Sequence, residues 1–143
     1  MEIDPTTLNE ISSKIDDISR TDNLSWNENS IAVKDVAKVD QEYGLKTIVT
    51  ANGIDELFCG YNSYREAISS GEDKVIEMMN TKLENEKQMM IAVNNVCSEF
   101  GIKVVQPLLS PSFIEFAKKI PISEKIHDSD DLMRKHIIRN LAI

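Results

Sequence analysis

A chain of 143 residues, 41% apolar and 28% charged, is ordinary for one soluble globular domain and long enough to bury a core. A net charge of −8 with no clustered Lys or Arg excludes the backbone attraction that nucleic-acid binding needs, and no apolar run approaches the ~20 residues of a membrane span. The two cysteines, Cys59 and Cys97, form no Cys-x-x-Cys pair, and "MEIDPTT" shows no signal peptide, so the expectation is a reducing, cytoplasmic setting without disulfides.

In chain order, Asp4 and Pro5 open a helical pattern carried by Leu8, Ile11, Ile15 and Ile18. The polar "RTDNLSWNENS" reads as a loop. A second helix is expected over 29–43, with Ala32, Val36 and Val39 inward and Gly44 as its stop. "LKTIVTA" is β-branched and apolar, and predicts a buried parallel strand at 46–50, followed by a short helix from Gly53 or Ile54.

"SSGEDKVIEMM" starts a long helix with Glu72 and Asp73 in its first turn. Its apolar stripe is Val75, Met79, Leu83, Met90, Val93, Cys97 and Phe100, and the polar interval "ENEKQ" is a candidate break. "IKVVQPLL" predicts a second strand closed by Pro107. "SPSFIEFAKKI" predicts a helix with Pro111 at N1, and "SDDLMRKHIIRNLA" a last helix capped by Ser129 or Asp130. The order implies a mostly helical α/β domain with few parallel strands. Two strands are too few for a stable open sheet, so an exposed apolar edge is expected along the first.

The densest stretch is "TANGIDELFCGYNSYREA", residues 50–67. A strand running through Ala51, Asn52 and Gly53 into a short helix places backbone N–H groups beyond a strand's carboxyl end, where α/β sheets bind ligands and where phosphate is at home. Asp55 and Glu56 would repel a bare phosphate, which makes Mg²⁺ the natural intermediary. The plain alternative is that both acids only serve the helix start.

"TANGIDELFCGY" resembles the Ser-Gly-x-Gly-x-Asp-Glu-Leu-Phe-Gly-Gly-Tyr signature of the asparagine synthetase family, with Tyr64 matching a tyrosine just downstream. "VVQPLLSPSFIEFAKKIP" is similar to that family's Val-x-x-Pro-Phe-Leu-Asp segment and following helix, and "LMRKHIIRNLA" to its Lys-x-x-Leu-Arg helix. The resemblance runs over residues 30–143. It implies a single partial domain of the adenine-nucleotide α-hydrolase-like, ATP-pyrophosphatase type. Such a domain activates an aspartate carboxylate as an acyl-adenylate with release of pyrophosphate, after which ammonia displaces AMP.

The resemblance also assigns residues. Thr50 and Ala51 match the pair lying against AMP, with Gly53 in the same nucleotide-binding turn. Asp55 matches the acid that holds Mg²⁺, and Lys135 the lysine facing the phosphates. Arg139 matches the helix arginine, functional or structural. Asn52 stands where the family often has an acid that contacts substrate or moves a proton; an amide cannot take a proton. Ile54 replaces a small residue, and Cys59 a glycine, as a buried filler. Asp55 and Lys135 are therefore expected on one side of the domain.

The Ser-Gly-Gly-x-Asp-Ser run that cradles pyrophosphate in that family does not occur in this chain, nor does a glutaminase domain's N-terminal Cys. The implied ligands are ATP and Mg²⁺, an aspartate-like substrate, and ammonia or a glutaminase partner. The implied assembly is a homodimer or a complex with a partner carrying the missing phosphate loop. The competing reading is a non-catalytic nucleotide-binding or interaction domain descended from that fold. His127 and His136, nine apart without a nearby Cys, do not suggest zinc. Met78, Met79, Met89 and Met90 read as core filler, and "HDSDD" as a solvated helix start.

Overall fold

The computed structural model describes residues 24–142, with side chains from Ala32 onward. The helix expected around Leu8, Ile11, Ile15 and Ile18 lies outside the described residues. Those described are mostly helical with one small parallel sheet, an α/β arrangement. They fall into two compact units, one built from 24–50 and 88–105, the other from 51–87 and 106–142.

The first unit holds α1 (Leu24–Glu42), β1 (Thr47–Val49), β2 (Lys103–Val105) and the C-terminal part of α4 (Glu72–Ser98). β1 and β2 pair in parallel, Thr47 opposite Lys103 and Val49 opposite Val105. The ladder extends one residue each way, through Lys103 N–H to Lys46 O (2.9 Å) and Thr50 N–H to Val105 O (3.0 Å). The expectation of a buried strand fails here. Among the described residues neither strand has a second neighbour, and Val49 is 68% exposed, with Tyr43 and Leu45 also open.

α1 begins at Leu24, so part of the stretch read as a loop is helical. Its inner face is also not the expected one. Val36 and Val39 are half exposed and Ala32 is exposed, while Ala37 is buried with Val33 and Asp40 partly so, at helix spacing one position along. Within this unit the end of α4 buries Met90, Ala92, Val93, Val96 and Cys97. Burial, with the Asp40 charge adding, pushes the Cys97 thiol up to about 11.

The second unit contains α2 (Ile54–Leu57), α3 (Ser63–Ser69), the first part of α4, α5 (Pro111–Lys119) and α6 (His136–Leu141), with 3-10 turns at Pro107–Leu109 and Ile122–Glu124. α4 is continuous through "ENEKQ", whose Glu, Lys and Gln are good helix formers. That interval instead contains the point, after Lys87, where the units divide. One apolar cluster gathers Cys59, Tyr64, Ala67, Val75, Met79, Ile122 and Ile126; Met78 packs on it. Another gathers Leu57, Phe58, Leu83 and Ala117. Each fully buried Leu or Val side chain contributes about 1.5–3 kcal/mol, which is how a four-residue helix such as α2 holds its place.

α5 starts as its sequence predicts. Pro111 sits at N1 and Ser110 Oγ accepts from Phe113 N–H (3.4 Å). At its other end the fully buried Lys125 donates Nζ to Ala117 O (2.8 Å), so a late helix carbonyl gains a cationic partner. The last helix departs from expectation. It begins at His136 rather than near Ser129, and residues 127–135 are irregular. Arg134 and Lys135 both take left-handed conformations (φ 44° and 53°), which helical backbone does not tolerate.

Candidate functional site

The second unit begins with a turn that only glycine fits. Gly53 has φ 102°, and a Cβ there would stand 2.7 Å from Leu109 Cδ2. The turn aims α2 so that its first-turn acids, Asp55 and Glu56, diverge: Glu56 is buried and Asp55 is partly exposed. The chain then reverses sharply. Cys59 takes φ 58°, and Gly60 N–H returns to Asp55 O at 2.8 Å.

Asp55 Oδ1 meets Lys135 Nζ in an ion pair, with the two side chains 37% and 25% exposed. Gly60 lies directly beneath. A Cβ on it would collide with Asp55 Oδ1 and Cγ and with Lys135 Cε. The "Cys-Gly-Tyr" step therefore keeps a floor without side chain under this pair.

Glu56 faces inward. The Tyr61 hydroxyl donates to its Oε1, and the Tyr64 hydroxyl donates to its backbone O (2.8 Å). Burial pushes the Tyr61 phenol well above its usual range; the bond to Glu56 and the charges of Glu56, Glu86 and Asp55 push it further. Burial raises Tyr64 likewise, followed by Cys59, Glu56, Tyr61 and Asp55. Lys82 Nζ stands 4.5 Å from the Tyr61 ring centroid.

Asn52 Nδ2 donates to Glu86 Oε1 at 2.6 Å, so α4 supplies a carboxylate beside the residue that lacks one. Burial raises the Glu86 carboxyl; the Asn52 hydrogen bond lowers it, and the charges of Glu56 and Asp55 raise it again. Three carboxylates thus lie within electrostatic reach of one another, with Lys135 and Lys82 as nearby cations.

Of the residues predicted from sequence, Asn52, Gly53, Asp55 and Lys135 lie together in the second unit, and Ala51 is exposed at its start. Thr50 belongs to the first unit, and its Oγ1 is buried without a hydrogen-bond partner among the described residues. Arg139 donates Nε to Met133 O (2.8 Å) and Arg134 O (3.0 Å), which ties the irregular segment to α6. Cys59 is the buried filler expected; burial pushes its thiol up to about 12 against the opposing charge of Lys125.

Sequence reasoning missed Glu86, although a signal was present. Leu83, Glu86 and Met90 are three and four apart, so a carboxylate stands in register with the apolar stripe of α4. It also misread "HDSDD". Asp131 is not part of a solvated helix start: its side chain is 5% exposed, and it pairs with His136, whose ring stacks on that of His127. Burial alone would raise Asp131, but the N–H groups of Arg134 and His127 and the His136 ring hold it well below the usual carboxylate range.

No family model matches the chain, and no curated protein matches it.

Proposed function

We propose that this chain carries the cation- and phosphate-handling part of an asparagine synthetase-type site of ATP-pyrophosphatase fold. The reaction would be ATP-dependent amidation of an aspartate-like acid. One observation carries the reading: Asp55 and Lys135, matched through two separate motifs, meet above Gly60. In the reaction a side-chain carboxylate attacks the α-phosphorus and pyrophosphate leaves. Ammonia then attacks the acyl carbon, AMP leaves, and the attacking nitrogen gives up a proton.

Within this reading Lys135 offsets charge on the departing pyrophosphate. Asp55 would hold Mg²⁺, which supplies charge neutralisation on the phosphates. Asn52 orients Glu86, whose burial-raised carboxyl fits it to accept the proton that an amide cannot. Ala51 and Gly53 would face the nucleotide. The phosphate-cradling loop would be supplied in addition to these residues, by a separate polypeptide or by further residues of the same protein.

A second reading is a non-catalytic nucleotide-binding or interaction domain. It is favoured by Asn52, an amide where that family often has an acid. The separating experiment is aspartate-dependent exchange of labelled pyrophosphate into ATP, with and without a polypeptide supplying that strand–loop–helix. Exchange that requires the added polypeptide supports the enzyme. No exchange under either condition supports the binding domain.

A further inference from the structure

Lys135 reaches Asp55 from a segment without regular structure, and one carboxylate organises that segment. Asp131 Oδ1 accepts from the N–H groups of Met133 (3.0 Å) and Arg134 (2.9 Å). Its Oδ2 accepts from His127 N–H (2.9 Å) and stands 2.6 Å from His136 Nε2. The His127 and His136 rings stack with centroids 3.7 Å apart and planes 10° apart.

Donor atoms of His127, Asp131 and His136 all fall within 4.8 Å of one another. These residue types would suit a transition metal, but the geometry does not. Imidazole lone pairs lie in the ring plane, so stacked rings aim theirs side by side and not at one point. Both Asp131 oxygens are also already engaged by donors. The ligand this arrangement fits is the proton.

We propose that His127, Asp131 and His136 form a proton-operated latch on Lys135, closed by one imidazolium and opened by a second. With no more than one proton added to the pair, His136 can donate Nε2–H to Asp131 and the two rings stack without charge repulsion. A second proton sets two cations face to face, with Asp131 the one carboxylate bonded to either ring among the described residues. Imidazoles are the side chains that change charge between pH 5 and 8.

The cations around the segment are held by carbonyl and amide oxygens. Arg65 of α3 donates to Ser129 O (2.7 Å), and Arg134 is bonded to Asn62. Lys125 approaches through its backbone O, 3.4 Å from His136 N, and Arg139 through the Met133 and Arg134 carbonyls. The carboxylates facing the segment are its own Asp128, which accepts from Asp130 N–H (2.8 Å), Asp130, and Asp55, already paired with Lys135. Opening frees Arg134 and Lys135 from conformations that L-residues hold at a cost, so Lys135 leaves Asp55.

The latch stands on this geometry alone; its effect on nucleotide rests on the function proposed above. The test is amide hydrogen exchange by NMR on the full chain from pH 8 to pH 5, expressed as protection factors. The Met133 and Arg134 amides should lose at least tenfold in protection as pH falls, while α4 amides keep theirs. His127→Phe keeps a stacking ring but takes no proton, and His127→Gln serves the same purpose should the first not fold. Either variant should hold protection flat to pH 5. Flat protection in the wild type, acid opening retained in the variants, or stoichiometric zinc binding at pH 7.5 would overturn the latch. Opening as described, with no Mg·ATP binding at any pH, would leave the latch standing and refute the nucleotide function instead.

Discussion

Asp55 and Lys135 come from opposite ends of the second unit's sequence and meet side chain to side chain over Gly60, which has no room for a Cβ. A backbone position is thus left bare so that an acid and a base can share one spot. The pair is partly exposed, so as a surface ion pair it adds little stability, about 0–1 kcal/mol. Its geometry is better explained by what it can bind than by what it holds together.

Gly60→Ala tests that geometry. The added methyl must displace the Asp55 carboxylate and the Lys135 stem together. We expect a stability loss of about 1–3 kcal/mol, as for other overpacked positions, measured by urea unfolding. Mg·ATP affinity should fall at least tenfold in the same variant. A variant as stable and as competent as the wild type would show the pair to be easily moved.

Two carboxyls should show opposite pH signatures. Glu86 is raised in the folded chain, so its ionised form opposes folding, and stability is lost as pH rises through its folded value. Glu86→Gln should therefore raise stability at pH 8 by roughly 0.5 kcal/mol, partial exposure screening the effect, with the gain vanishing near pH 4. On the reaction proposed above, the same variant should keep aspartate-dependent pyrophosphate exchange, which precedes ammonia attack, and be defective in ammonia-dependent amide formation.

Asp131 is depressed, so its contribution is present above the ordinary aspartate value of about 3.9 and is lost as pH falls below it. Asp131→Asn leaves buried donors short of an acceptor and should cost about 2 kcal/mol at pH 7. Thermal unfolding across pH should show the wild type and the variant converging toward pH 2. A constant gap down to pH 2 would mean that Asp131 works by shape and not by charge.

Much of this fold was legible because it is written locally. Periodicity located the stripe of α4, and Pro111 after Ser110 marked the start of α5. The parallel strand was legible in Thr47, Ile48 and Val49, although its burial was not, since burial depends on neighbours that a strand's own residues do not specify. Gly53, Asp55 and Lys135 were singled out through the family resemblance and not by spacing, and the structure brings Asp55 and Lys135 together. Glu86 and Asp131 were not, because each is defined by a partner distant in sequence or by a loop closing on itself. Residues 127–135 show the same limit. Charged residues ahead of an apolar run suggest a helix start, yet Asp131 takes the backbone N–H groups for a loop.

The exposed edge of β1 has its own consequence. Val49 is 68% exposed, and among the described residues β1 pairs with β2 alone, leaving an edge that invites strand addition by a second chain. We expect concentration-dependent association in sedimentation velocity, reduced at least severalfold in Val49→Lys. An equally monomeric wild type and variant would argue that the edge is not sticky.

The most direct measurement is calorimetric titration of ATP into the wild-type chain and Asp55→Ala, each with and without Mg²⁺. Weak binding by the wild type is expected, with Kd on the order of 1 mM, dependent on Mg²⁺ and lost in Asp55→Ala. Binding that is indifferent to Mg²⁺, binding that survives the loss of Asp55, or no binding by the wild type would contradict the assignment of this site.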